Sequence, residues 1–238
     1  MSQPVLVIGP SGTGKSTSVE KLDSKETFVI KTTDKPMPFR GSNKKYKLVN
    51  ADNPTGNLSV LKASDPSKRY GELISLIKAV DERRPEIKTL LIDDFQYLMV
   101  DEYMSRSQEK GFDKFAQMAT NMWVVLDKIS RCRNDLVIII LCHNDIGDDG
   151  ISTMQTMGKM LRGTVKPEGK FTVIMHTHVN DGKYSFLTQY RTVNGKELQA
   201  KSPRGMFDEE FIDNDLGYVV QRMHDYYDEE FADDTVNL

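Results

Sequence analysis

An α/β fold, a mostly parallel sheet flanked by helices, is predicted by three features of this 238-residue sequence. Short apolar runs at residues 4–8, 89–92 and 136–142 lack polar alternation, as strands covered on both faces do. Each run ends in a glycine-rich or polar cluster: Gly9 onward, Asp93-Asp94, and His143-Asn144-Asp145. Between the runs lie stretches with apolar residues at helical spacing.

The first run, Pro4 to Ile8, reads as a buried strand. It is followed by Gly9-Pro10-Ser11-Gly12-Thr13-Gly14-Lys15-Ser16-Thr17, which fits G-x-x-x-x-G-K-[ST] at every fixed position. Residues 18–22 then read as a helix, so strand, glycine loop and helix come in the order a P-loop requires. Gly12 and Gly14 let the backbone curl with its N–H groups inward, forming an anion nest. The helix start adds its positive dipole end. Lys15 supplies a point charge for the β- and γ-phosphates, and the Ser16 hydroxyl suits Mg²⁺. The ligand expected is ATP with Mg²⁺. GTP stays open, although no guanine-reading N-K-x-D stands out.

The second run ends in Asp93-Asp94, an acidic strand tip of Walker B type. Asp93 is expected to hold the magnesium beside Ser16. Asp94 is placed to polarise the attacking water, though an aspartate there also suits a helix N-cap. The third run ends in His143-Asn144, either of which can sense the γ-phosphate or position water, or else belong to a solvated loop. An acidic strand followed by a polar-tipped strand, both far from the P-loop in sequence, is the RecA/AAA-type layout.

Residues 28–30 read as the strand after the P-loop helix. They lead into a proline-stiffened loop containing Asp34, a second candidate for positioning water. Lys44-Lys45-Tyr46-Lys47 is a basic cluster around an aromatic, fit for a nucleic-acid backbone and base or for a solvated turn. Leu73, Ile74, Ile77 and Val80 predict a helix over 70–83. Residues 95–133 predict two helices broken at Gly111, with a stripe of Phe115, Met118, Met122, Val125, Leu126 and Ile129. Residues 146–170 are glycine-rich and basic, with a short helix expected over Met157 to Leu161. A C-terminal β-hairpin is predicted at 171–179 and 184–190, with Asn180-Asp181-Gly182-Lys183 as its turn, followed by a last helix over 214–227. The predicted core spans 1–227, and 228–238 reads as an acidic tail.

With these segments in view, the sequence resembles a phage-type family of short RecA-like ATPases associated with single-strand annealing and recombination. The likeness rests on the P-loop, on Asp34-Lys35-Pro36-Met37-Pro38-Phe39, and on Leu91-Ile92-Asp93-Asp94-Phe95-Gln96-Tyr97-Leu98-Met99. Met157-Gly158-Lys159-Met160-Leu161 and Ala200-Lys201-Ser202-Pro203-Arg204-Gly205-Met206-Phe207 complete it. The resemblance implies a RecA-like P-loop NTPase core and ATP-linked binding of single-stranded DNA. It also implies a homo-oligomer in which Lys159, with Arg162 as substitute, reaches a neighbour's γ-phosphate.

Composition narrows the partners. The formal net charge of −3 provides no global pull toward nucleic acid, so DNA contact must come from the 44–47 cluster or the basic 159–170 stretch. The apolar runs are too short to cross a bilayer. The motif begins within nine residues of the start, which leaves no room for a signal peptide, and the expected location is the cytoplasm. Cys132 and Cys142 are expected as buried free thiols. Two other functions share the P-loop: a small-molecule phosphotransferase, and a nucleotide-gated interaction module such as a helicase loader.

Overall fold

The computed structural model describes residues 2–157 and 165–228. Strand β1 (Gln3–Ile8) runs into the glycine loop, and β2 (Thr27–Lys31) follows. A one-turn helix α1 (Ser42–Lys45), β3 (Leu58–Val60) and helix α2 (Arg69–Arg83) come next. Strand β4 (Thr89–Asp93) precedes helices α3 (Tyr97–Ser105) and α4 (Asp113–Ser130). After β5 (Val137–Cys142) come two short strands, β6 (Asn144–Ile146) and β7 (Ile151–Met154). The hairpin β8 (Val173–Asn180) and β9 (Lys183–Leu187) leads to β10 (Arg191–Val193), β11 (Lys196–Leu198), β12 (Phe211–Asp213) and helix α5 (Leu216–Asp228).

Eight strands form the main sheet in the order β12-β9-β8-β1-β5-β4-β2-β3. From β8 to β3 every neighbouring pair is parallel, and the antiparallel pairs are confined to the hairpin edge. Strand β5 lies between the P-loop strand and the acidic strand, although it follows both in the chain. The sheet, with helices on both faces, is a P-loop NTPase fold.

The apolar runs explain why both faces are covered. Successive side chains point to opposite faces. Leu6, Ile8, Leu90, Ile92, Ile138 and Ile140 therefore pack with α2 and α4 through Leu73, Ile77, Met122 and Ile129. Val5, Val7, Leu91, Val137, Ile139 and Leu141 pack on the other face with Leu216, Val219 and Met223 of α5. Each such fully buried side chain contributes roughly 1.5–3 kcal/mol.

Most predicted elements are present. Gly111, at φ 94°, separates α3 from α4, and five of the six residues in the predicted stripe are buried, Phe115 being half-buried. The hairpin turn has Asp181 at φ 48° and Gly182 at φ 78°, as a type I′ turn requires. Cys132 and Cys142 are buried free thiols.

Three expectations change. The segment after the P-loop is only a five-residue 3₁₀ turn, Thr17–Lys21, because the chain extends at Leu22 to reach β2 at Thr27. So short a turn carries little macrodipole, which leaves anion binding to the loop amides and Lys15. The glycine-rich stretch contributes strands that were not expected: β6 and β7 join β10 and β11 in a second sheet, ordered β10-β11-β7-β6, while the helix expected over Met157 to Leu161 lies, past Met157, outside the described residues. Tyr46 is 2% exposed and donates its hydroxyl to Val19 O, so it is a core residue and offers no ring face to a base.

Candidate functional site

The site begins where β1 ends. Gly9 donates its N–H to Cys142 O of β5 at 3.3 Å, which ties the loop to the neighbouring strand. On the other side Gly9 abuts β8, where an added Cβ would lie 1.7 Å from Thr177 Oγ1. Thr13 Oγ1 sits 2.6 Å from that same hydroxyl, so loop and β8 are fastened together. Gly12 (φ 79°) and Gly14 (φ 93°) adopt the left-handed conformation that turns successive amides inward.

Lys15 is 6% exposed, and its ammonium donates to Gly9 O and Pro10 O at 2.7 Å each. Burial lowers its pKa, and the charge of Asp94 opposes that shift most strongly. Ser16 Oγ donates to Asp93 Oδ1 at 2.9 Å. Asp93 is 3% exposed, and burial followed by the adjacent Asp94 charge pushes its pKa up to about 6. A hydroxyl beside a carboxylate is a set of hard oxygen donors, which fits Mg²⁺ with further ligands from water and phosphate.

Asp94 directly follows Asp93, and plain strand alternation would aim it at the opposite face. Its φ of 59°, a left-handed value for a non-glycine residue, breaks that alternation. The carboxylate is 3% exposed and forms an ion pair with Lys35. It also accepts hydrogen bonds from Thr33 Oγ1 at 3.3 Å and Gln96 Nε2 at 3.4 Å. Its partners are thus side chains, and the N-cap reading of Asp94 gives way to the cleft reading.

A cleft of about 690 Å³ runs past these groups, lined among others by Gly12, Lys15, Ser16, Lys35, Asp94 and His143. Ser11, Gly14 and Thr17 also line it, and Gly9, Pro10 and Thr13 complete the loop behind it. His143 Nε2 is 3.8 Å from Asp94 Oδ1. Burial and then the Lys15 charge lower the His143 pKa, so its imidazole is neutral near pH 7.

The remaining predicted residues divide. Asn144 donates Nδ2 to Ser152 Oγ at 3.0 Å within the second sheet. The strand tip therefore offers His143 to the cleft, and Asn144 faces away. Asp34 is exposed and lines a neighbouring cavity with Lys31 and Asn43, so it does not join Asp93 and Asp94. Lys159 and Arg162 lie outside the described residues. Lys35, Gln96 and Thr177 were not singled out as site residues. Lys35 and Gln96 belong to the two segments that carry the family resemblance, which was the available signal, whereas nothing in the local sequence marks Thr177.

Fold, glycine loop and paired acids together define the P-loop ATPase class. The chain belongs to the AAA-domain family, whose family model matches residues 1–203. Nucleotide binding and ATPase chemistry are the properties of that class. Among the described residues no helix is long and apolar enough to cross a membrane, and no cluster of three or more His, Cys, Asp or Glu could hold a metal.

Proposed function

We propose that this protein hydrolyses ATP with magnesium in the cleft beside the Gly9–Thr17 loop. The observation that carries the reading is the convergence of Lys15, the Ser16–Asp93 pair and buried Asp94 on one cleft. The inward amides of the loop and the Lys15 ammonium hold the β- and γ-phosphates. Ser16 and Asp93 would hold Mg²⁺, which supplies positive charge against the phosphate oxygens. Asp94 orients a water for attack on the γ-phosphorus and takes its proton as the bond to the bridging oxygen breaks. Lys35 pairs with the Asp94 carboxylate, and His143 flanks it as a neutral donor or acceptor.

The finer reading is a RecA-type homo-oligomer that acts on single-stranded DNA with other recombination or replication proteins, with Lys159 of one copy reaching the next. The family resemblance supports it, together with the exposed Lys44 and Lys47, which suit phosphate contacts.

The test is phosphate release from Mg·ATP, with and without single-stranded DNA. Wild type should turn over slowly and be stimulated by DNA, in a salt-dependent way. Lys15→Ala and Asp94→Asn should each abolish turnover, with Asp94→Asn still binding nucleotide. Turnover unaffected by Asp94→Asn would remove Asp94 from the mechanism. Saturable binding without turnover would favour a nucleotide-gated interaction module. An absence of DNA stimulation would remove the DNA reading while leaving the ATPase intact.

A further inference from the structure

The outer end of the same cleft carries groups that phosphate binding does not use. It is walled by Glu20, Lys21, Lys183, Tyr184, Asp213 and Asn214. Two of these are set by the hairpin edge. Tyr184 lies at the start of β9, Asn214 directly follows β12, and these strands pair antiparallel with Asp213 opposite Ser185. Both side chains rest on the glycine loop. A Cβ added to Gly14 would lie 2.8 Å from Asn214 Oδ1 and 3.0 Å from Tyr184 Cδ1.

Each of the two has unmet capacity. Tyr184 as a residue is 45% exposed and stands at the cleft wall. Asn214 Nδ2 is a buried amide nitrogen with no hydrogen-bond partner. Such a group costs free energy unless something satisfies it. Its neighbours are already engaged: Asp215 Oδ1 accepts from Tyr218 N at the start of α5, and Lys183 pairs with Asp213 at 3.5 Å.

We infer that Tyr184 and Asn214 form the base-reading end of the cleft, with Tyr184 stacking on the base and Asn214 selecting adenine over guanine. This rests on the proposed triphosphate site at Lys15 and Ser16. A carboxamide presents one donor and one acceptor side by side. Adenine offers the complementary pair, an N6 amino donor next to the N7 acceptor. Guanine offers O6 and N7 on that edge, both acceptors, so one would face the Asn214 carbonyl whichever way the amide is turned. Stacking, by contrast, is tolerant of base identity, because every base has a π-face. The two residues therefore divide the work: Tyr184 sets affinity and Asn214 sets identity.

The experiment is equilibrium titration of the full chain with Mg·ATP, Mg·GTP and Mg·tripolyphosphate, the last probing the phosphate end alone. Wild type should prefer ATP by roughly ten- to hundred-fold. Asn214→Ala should weaken ATP and bring the two nucleotides level, and the near-isosteric but acceptor-only Asn214→Asp should weaken both, GTP the more, because guanine offers no donor on that edge. Tyr184→Ala should weaken both nucleotides about equally, by roughly tenfold or more, and Tyr184→Phe should restore them. Tripolyphosphate should bind every variant as it binds wild type, which also verifies that each is folded. Equal wild-type affinity for ATP and GTP would overturn the assignment. So would an Asn214→Ala variant that binds tripolyphosphate normally and keeps the wild-type ratio. Should wild type bind tripolyphosphate but show no base preference, only this inference fails. Failure to bind any of the three ligands would sink the phosphate site as well.

Discussion

Replacing Asp93 with asparagine should make the nucleotide-free protein more stable while destroying its magnesium-dependent chemistry. The Asp93 carboxyl is 3% exposed, and burial with the neighbouring Asp94 charge moves its pKa from the ordinary 3.8 to about 6, Ser16, Lys35 and Lys15 offsetting only part. At 1.36 kcal/mol per pH unit, that displacement means the ionised form destabilises the fold by about 3 kcal/mol. The folded carboxyl holds its proton more tightly than the unfolded chain does. Stability therefore falls as pH rises from about 3.8 to about 6, and the full cost is present above that window. Asparagine keeps an oxygen to accept from Ser16 and carries no charge. In EDTA at neutral to mildly alkaline pH, Asp93→Asn should melt about 6–12 °C above wild type, and the gap should close as pH falls toward 4. The assay is calorimetry or the intrinsic fluorescence of Trp123, the single tryptophan, across this pH range. Adding Mg·ATP should narrow or reverse the order, because wild type gains the larger binding free energy. A variant that melts at or below wild type under the metal-free conditions, or a gap independent of pH, would refute the reasoning.

Three further outcomes follow from the geometry. Lys35→Met strips the cation from the Asp94 carboxylate and should cost about 1–3 kcal/mol, toward the lower end because Lys35 is 52% exposed. Denaturant unfolding should show that adding Asp94→Asn recovers most of this loss, and simple additivity of the two changes would deny the coupling. His143→Ala should slow turnover by roughly 10–100-fold, whereas Asn144→Ala should leave it near wild type, as a phosphate-release assay would report; equal losses would contradict the division of that strand tip. Gly14→Ala combines a φ of 93° with a Cβ 2.8 Å from Asn214 Oδ1, so it should lose about 1–3 kcal/mol in thermal unfolding and weaken tripolyphosphate binding.

Elements with a strong local cause were legible in sequence. The central strands declared themselves because two-sided burial demands continuous apolar residues, as in Leu136 to Cys142. Helix α4 followed from its stripe, and the hairpin from an Asp181-Gly182 pair suited to positive φ. Strands β6, β7, β10 and β11 were missed because each has only three or four residues, and the two short pairs are joined into one sheet only through the β7–β11 contact, distant in the chain. The cleft divides the same way. Lys15, Ser16 and Asp93 come from contiguous motifs with fixed spacing, and they converge as expected. The choices between Asp94 and Asp34, and between His143 and Asn144, turned on backbone direction at a strand end. There a single left-handed φ or one step of alternation decides which side chain meets the cleft, and composition carries no trace of it.

The strand inserted between β1 and β4 has a mechanical consequence. Two inter-strand steps, about 10 Å in all, hold the glycine loop and the paired acids apart. Direct adjacency would halve that gap and leave no strand tip in the middle. With β5 interposed the grip has three jaws, and His143 is the central one. The gauge is kept by ladders, six register pairs from Gln3↔Val137 to Ile8↔Cys142 on one side and four on the other. Loop changes at the rim can thus alter what the jaws hold without resetting how far apart they stand.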